Sequence, residues 1–442
     1  MARRLAINEK TPLFPAILEM GWLLIALVTP LWINLWGSQP FDPAKLSLLR
    51  GILCLLLGVW LADWLRRPRP WRQELPPPPI LWPLLALIVT AVLSTVASTN
   101  PSLSLWGSQQ RAGGLLALLS YLLLALLVAA RLRTVAQARR LLAFLVVTAV
   151  PIILLGSLQA AGQDPLRLVS DARSPIYATL GRANFVGAYL ALLLPLTVAL
   201  AMTTQQRALR IGLLLLAGAQ LILIGLTLAR AAWLAAGVVL TLLLAGWIWP
   251  RLSRLGQVGV VSGMGIAAIG GGLLVARSLL LAEAGSLAAR RVIWQGTWGL
   301  IGERPLLRHG LDSLAIQFAR IFPPELVCYQ GRQVFVDRAH NWLLDTAVTT
   351  GLLGLAALIW LWAALFWCGG RAIRRYQAQG QPEKRLLVVG CLAALAANLT
   401  GNLFSFDVAA TAVTSWLLLA VASASPDPRA KPNGRWIRPA GG

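Results

Sequence analysis

The chain has 442 residues, of which 57% are hydrophobic and only 12% charged, with a formal net charge of +23. Soluble domains carry about 25% charged residues, so this composition excludes an ordinary soluble enzyme and indicates an integral membrane protein. The basic excess would suggest a nucleic-acid partner in a soluble chain, but here the charges sit in short loops between apolar runs, so no nucleic acid is expected.

A helix needs about 20 mostly apolar residues to cross the ~30 Å hydrocarbon core. Taken in chain order, twelve segments meet that description: 14–36, 46–65, 79–97, 114–130, 141–160, 184–203, 211–229, 232–249, 257–278, 342–367, 386–405 and 407–424. The first lacks a small-residue cleavage site and reads as a retained helix. The fold class is therefore all-α: a polytopic membrane protein of about 12 spans, with residues 1–424 as one transmembrane domain. Residues 425–442 form a tail of disordered composition.

Basic residues set the orientation. Counting alternate inter-span segments from the N-terminus, the odd set holds Arg3, Arg4, Lys10, Arg66, Arg67, Arg69, Arg72, Arg131, Arg133, Arg139 and Arg140. It continues with Arg207, Arg210, Arg251, Arg254, Arg371, Arg374, Arg375, Lys384, Arg385, Arg429, Lys431, Arg435 and Arg438. That side is expected to be cytoplasmic, with both termini there. The large loop at about 279–341 then faces outward. Within it, 286–305 reads as a helix that places Trp294, Trp298 and Ile301 on one face, ended by Pro305. A second helix follows Asp312–Ser313 with Leu314, Phe318 and Ile321 on one face, stopped by Pro323–Pro324. Two amphipathic helices lying on the bilayer surface are the plain reading.

No nucleotide-binding G-x-x-x-x-G-K-[ST] or zinc-type H-E-x-x-H stretch occurs. The outer loops hold few carboxylates and no close pair suited to a divalent cation; "GSQPFDPAK" offers only Asp42. Neither metal nor cofactor is expected. The cysteines at 54, 328, 368 and 391 form no C-x-x-C pair.

What the outer side does carry is arginine at helix ends: Arg111, Arg182, Arg230, Arg290 and Arg291. Singly, each reads as a side chain snorkelling to headgroups. Converging on one side, their guanidinium forks suit phosphate oxygens. His340, one of two histidines, stands at the outer mouth of the tenth span beside Arg338 and Asn341. Its ordinary pKa suits general-base work near neutrality. If the helix begins before Asp337, that carboxylate can hold one ring nitrogen and orient the other. His309 reads as structural or peripheral. Gly270–Gly272 suit close helix packing, and Asn398 and Asn402 share a helix face that suits interhelical hydrogen bonding. Glu19 and Arg50 are ionisable residues within spans that have no obvious partner.

"RAHNWLLDTAVTTGLLGL" resembles the signature near the C-terminal end of the O-antigen ligase and polymerase superfamily. "GRANFVGAYLALLLPL", "LTLARAAWLAAG", "RRVIWQGTWGLIGERPLLRHGLD" and "LWGSQQRAGGLL" are similar to further elements of that family, in the family's order. Ala229 and Ala231 replace its common serine and glycine around Arg230, and Arg308 replaces the first glycine of a Gly-x-Gly. The resemblance implies a multi-spanning glycosyltransferase of the GT-C type in the bacterial inner membrane. Such an enzyme takes glycan from an undecaprenyl-diphosphate carrier on the outer face and gives it to a glycan, lipid or protein hydroxyl, without metal. Carried over, His340, with Asp337, activates the acceptor; Arg182, Arg230 and Arg291 bind the diphosphate; Arg111, Arg290, Arg338 and Asn341 are accessory. The alternative is a transporter of a small anion such as bicarbonate, but the polar residues cluster at one face rather than near the bilayer midplane.

Overall fold

The structure, a computed structural model, describes residues 13–66, 68, 70, 75–168, 174–248, 252–260, 285–306, 309–332 and 334–423, with 262, 263, 265, 270, 273 and 277. Most of the expected ninth span, the tail 425–442, Arg308 and the basic N-terminal residues lie outside the described residues. Regular structure among the described residues is entirely helical.

Eight helices are long and apolar enough to cross a membrane, and three shorter apolar helices accompany them among the described residues. The long ones meet the expected spans at 14–36, 46–65, 79–97, 141–160, 184–203, 211–229, 342–367 and 386–405; the short ones meet those at 114–130, 232–249 and 407–424. The 141–160 span is two helices, α6 (Val135–Val147) and α7 (Ala149–Ala160). Pro151 in the first turn of α7 removes a backbone donor, which accounts for the break. Thr148 sits at that break, bonded to Tyr189 at 2.7 Å.

Two helices fill the centre. α8 (Ala183–Thr203) is buried on nearly all sides, and α16 (Ala409–Ser423) is buried except at Trp416. A helix apolar all round needs neighbours or lipid on every face. Here α9 (Arg207–Leu226), α10 (Arg230–Ile248) and α15 (Pro382–Asn402) surround α8, while α1 (Leu13–Leu31), α5 (Leu115–Arg131) and α15 flank α16. Small residues permit the approach: a Cβ on Gly390 would lie 2.7 Å from the Ala199 Cβ. α2 (Asp42–Arg66) packs on α1, and α3 (Pro78–Val96) on α14 (Trp342–Ala378).

α14 is too long for one crossing and is not one rod. At Gly351 the backbone leaves helical geometry with φ 79° and ψ 176°. Pro305, Gly310 and α3 pin the break: Leu352 N donates to Pro305 O (3.1 Å), Gly310 N to Thr349 O (3.2 Å), and Ser94 Oγ to Thr349 O (2.5 Å). The segment Trp342–Thr350 thus belongs to one end of the bundle, and the remainder forms the span.

At that end, α11 (Gly285–Glu303), α12 (Leu314–Arg320) and α13 (Glu325–Gln330) form a second core. Ala289, Val292, Ile293 and Leu300 of α11 meet Leu314, Phe318, Leu326 and Val336, with Ala347 and Val348 of α14. The apolar face of α11 is therefore covered by protein. Ile301 is buried in it and Trp294 packs against it, while Trp298 projects outward. The spans' ionisable residues find partners that sequence spacing did not reveal. Glu19 bonds Arg140 at 2.6 Å and Gln137 at 3.1 Å, Arg50 reaches Ala112 O at 3.3 Å, and Asp63 pairs with buried Arg131 at 2.9 Å.

Candidate active site

The site begins with a tight turn between α4 (Pro101–Trp106) and α5. Gly107 has φ 87°, and a Cβ there would lie 2.3 Å from the backbone of Ala112. Only glycine lets the turn close, and closure aims Arg111 across the bundle. Arg111 Nε donates to Asp337 Oδ2 at 2.8 Å, and its Nη1 to Asp42 Oδ2 at 3.2 Å. Asp42 also accepts from the backbone of Ala409 at 3.0 Å. One guanidinium therefore ties the start of α2, the start of α16 and the strand-like approach to α14.

A second bridge lies beside it. Arg338 Nη2 donates to Asp312 Oδ1 at 2.8 Å, while Asp312 Oδ2 accepts from Ser108 N at 2.6 Å and Gly113 N at 3.3 Å. Burial alone would weaken the Arg338 charge, but Asp312, Asp345 and Asp337 outweigh it and hold the group protonated above its ordinary value.

Both sides of the residue before His340 are clamped. Ala339 N donates to Asp345 Oδ1 at 2.7 Å, and Trp294 Nε1 donates to Ala339 O at 2.8 Å. Asn341 then caps α14, accepting from Leu343 N (2.9 Å) and Leu344 N (3.2 Å). Held between clamp and cap, His340 adopts φ 55°, a left-handed conformation costly for a side chain with a Cβ. Leu228 and Ala112, next to the Arg230 and Arg111 motifs, share this feature with φ 55° and 49°.

The His340 ring lies 5.3 Å from the Phe406 ring, centroid to centroid, and its Nδ1 has no hydrogen-bond partner. Burial, then the charges of Arg290, Arg182 and Arg111, push its pKa down to about 4, against the opposing pull of Asp337. The imidazole is neutral at physiological pH. Phe406 is the common floor of the site: the Arg111 guanidinium carbon stands 4.7 Å from its centroid and that of Arg338 6.0 Å, and Phe185 packs edge-on at 5.3 Å.

The helix start settles where Asp337 points. α14 begins at Trp342, capped by Asn341, so the condition under which Asp337 would hold the His340 ring is not met. Its carboxylate goes to Arg111 instead. Burial alone would raise its pKa, but Arg111, with Arg338 and His340, holds it below the usual carboxylate value.

Arg182 occupies the N-cap position of α8, exposed, just after Gly181 with φ 92°. Arg230 is the first residue of α10 and is also exposed. A Cβ on Gly187 would meet Thr227 Oγ1 at 2.9 Å and Ala232 Cβ at 2.8 Å, so the two helix N-termini converge. Free backbone N–H groups there add to the arginine charge in favouring an anion. Arg291 is exposed on α11; Arg290, its half-buried neighbour, is the member of the pair among the strongest charges on His340. Arg230 and Arg291 are not among those charges.

Sequence reading did not anticipate Phe406, Asp42, Asp312 or Asp345. Asp345 lies in the "RAHNWLLD" stretch and could have been flagged as a carboxylate inside a span; nothing in the sequence near Phe406 marks it. His309 is buried and its carbonyl accepts from Ser98 Oγ at 2.6 Å. Among the described residues, no group of three or more His, Cys, Asp or Glu side chains could hold a metal ion. The carboxylates of Asp42 and Asp337 share the Arg111 guanidinium, and that of Asp312 is bonded to Arg338.

No curated protein matches the chain. Residues 215–359, from α9 through the loop helices and His340 into α14, match the family model described as O-Antigen ligase, and this supports placing the multi-pass membrane chain in the O-antigen ligase and polymerase superfamily.

Proposed function

We propose that the chain is a metal-independent, inverting glycosyltransferase of the O-antigen ligase or polymerase type, sited in the bacterial inner membrane with both termini in the cytoplasm. It moves glycan from an undecaprenyl-diphosphate carrier to an acceptor hydroxyl on the outer face. The observation that carries this reading is His340: a neutral imidazole with an unpartnered Nδ1, held on a strained backbone in a field of arginines.

In the proposed step, the imidazole takes the acceptor hydroxyl's proton as that oxygen forms its bond to the anomeric carbon. The bond from that carbon to the diphosphate oxygen breaks, and its electron pair leaves with the diphosphate. Arg182, Arg230 and Arg291, with Arg290 and the N-termini of α8 and α10, neutralise the departing charge. A free-state pKa of about 4 makes His340 a weak base; the bound diphosphate's negative charge raises it toward working pH. Asp337 acts through Arg111 and is a positioning residue in this scheme.

The test is transfer from purified undecaprenyl-diphosphate-linked glycan by the reconstituted protein. His340→Ala is expected to lose transfer by about 10²-fold or more, and EDTA to leave the wild type unaffected. Wild-type rates in the variant would refute the general-base role; strict metal dependence would refute the arginine-only picture.

A further inference from the structure

Next to the Arg111–Asp337 bridge the protein opens into a cleft of about 310 Å³, lined by Ser108, Gln110, Asp312, Ala315, Phe335 and Asp337. The volume is at the low end of small-molecule sites. We propose that this cleft binds a saccharide and is the acceptor subsite, a step that rests on the transferase reading above.

The lining chemistry selects the ligand. Phe335 lines the cleft and is 63% exposed. A flat ring of this kind matches the apolar C–H face of a pyranose. Around it stand groups that pair with hydroxyls: the exposed Gln110 amide, Ser108, and Asp337. Arg111 bonds only Oδ2 of Asp337, so Oδ1 retains acceptor capacity among the described residues. Asp312, by contrast, is fully engaged and serves as wall.

Other ligand classes fit less well. A lipid tail needs apolar walls throughout, and four of the six lining residues are polar or charged. A phosphorylated acceptor would bring its anion against two carboxylates. An uncharged saccharide meets neither obstacle.

The cleft is also connected to the chemistry. Asp337 lines it, and its charge reaches His340. Arg111 bonds Asp337 and stands over the Phe406 ring on which His340 rests. A sugar bonded to Asp337 is thereby linked to the imidazole through Arg111 and Phe406.

Saturation-transfer NMR on the full-length protein in nanodiscs, with empty nanodiscs as control, tests the assignment. The probes are lactose, N,N′-diacetylchitobiose, glucose 6-phosphate and a serine-rich decapeptide. At least one neutral disaccharide is expected to bind with Kd on the order of millimolar. Phe335→Ala is expected to weaken binding about three- to tenfold, the worth of one ring contact, and Gln110→Ala to weaken it in the same direction. Both positions are exposed, so neither change threatens folding. His340→Ala is expected to keep disaccharide binding. If that variant binds sugar yet transfers at the wild-type rate, the general-base reading fails and the cleft stands. If no neutral disaccharide binds in a Phe335-dependent way, or the peptide alone does, the saccharide subsite is overturned.

Discussion

His340 lies within the matched region and Phe406 beyond it, yet their rings stand 5.3 Å apart with planes inclined at 50°. The same Phe406 ring receives Arg111 and Arg338. Phe406 lies in the short link between α15 and α16, where Asp407 is fixed by Asn398 at 3.0 Å. A connector without any motif thus sets the floor against which the charged groups are arrayed.

Phe406 is 7% exposed, so Phe406→Ala leaves a cavity and is expected to cost about 3 kcal/mol. Phe406→Leu keeps most of the volume and is expected to cost less than about 1.5 kcal/mol. It nevertheless removes the ring face beneath both guanidinium groups. In detergent-solubilised protein, the leucine variant should retain most of its thermal stability and lose transfer activity out of proportion. Equal, small losses in both would show the ring is only packing.

Arg111 is the cross-tie of the site, and its partners are nearly shielded from water. Arg111→Ala strands two carboxylates, Asp42 and Asp337, and is expected to cost about 2 kcal/mol. Arg111→Lys supplies the charge without the fork and should recover only part of that loss. Adding Asp42→Asn to Arg111→Ala should regain stability, because one stranded charge is then removed. Unfolding temperatures of these proteins and of Asp42→Asn alone check the sequence; additivity of the double variant with its two single variants would contradict the coupling.

Gly351 has φ 79° and ψ 176°, a region essentially reserved for glycine. Gly351→Ala is expected to cost about 1–3 kcal/mol and to disturb the seating of Trp342–Thr350, and with it the cap and His340. Gly370, on the same helix with open space where a Cβ would stand, is the control for a glycine-to-alanine change away from the break. Hydrogen exchange should show increased opening confined to residues around 305–310 and 341–352 for Gly351→Ala.

How much of this was legible beforehand differs by element. Apolar runs such as Ala183–Thr203 announce themselves because a bilayer span requires about 20 such residues. The His340 neighbourhood was legible as a boundary: a rare ionisable residue beside Arg338 and Asn341, followed by a span; that Asn341 caps the helix was not. The partners were not. Arg111 and Asp337 are 226 positions apart, and Asp42 and Ala409 are 367 apart. No local period encodes such pairings; they follow from how α2, α5, α14 and α16 pack. Asp337 shows the limit most directly, since its contact with the ring was conditional on a helix starting before it, whereas α14 starts at Trp342 and the carboxylate bonds Arg111.

The two histidines make titration tractable: isotope-labelled imidazoles give two signals, and His340→Gln assigns them. The His340 signal is expected to titrate at about 4 rather than the ordinary 6.5, and to move upward when farnesyl diphosphate is added as an anionic probe. The sign for stability follows. The folded state binds this proton less readily than the unfolded state, so its contribution is fully present above about 6.5 and is lost as pH falls toward about 4. His340→Gln should flatten that part of the stability–pH curve. A midpoint near 6.5, unmoved by the diphosphate, would contradict the arginine field.

The strained backbone of His340 permits a test in which stability and chemistry part company. At φ 55°, alanine is strained and glycine is not, so His340→Gly is expected to be about 1 kcal/mol more stable than His340→Ala. Both lack the imidazole and should lose transfer alike. The glycine variant also opens a space beside the Phe406 ring, where a free imidazole molecule can enter. Added imidazole is therefore expected to restore part of the transfer rate in His340→Gly, with saturation, and less in His340→Ala. The rescue should follow the basicity of the added azole, because the missing event is proton removal from the acceptor hydroxyl. Rescue by a non-basic azole of the same size would show that His340 only fills space, whereas no rescue by any azole, with glycan donor still bound, would remove proton transfer at this position from the scheme.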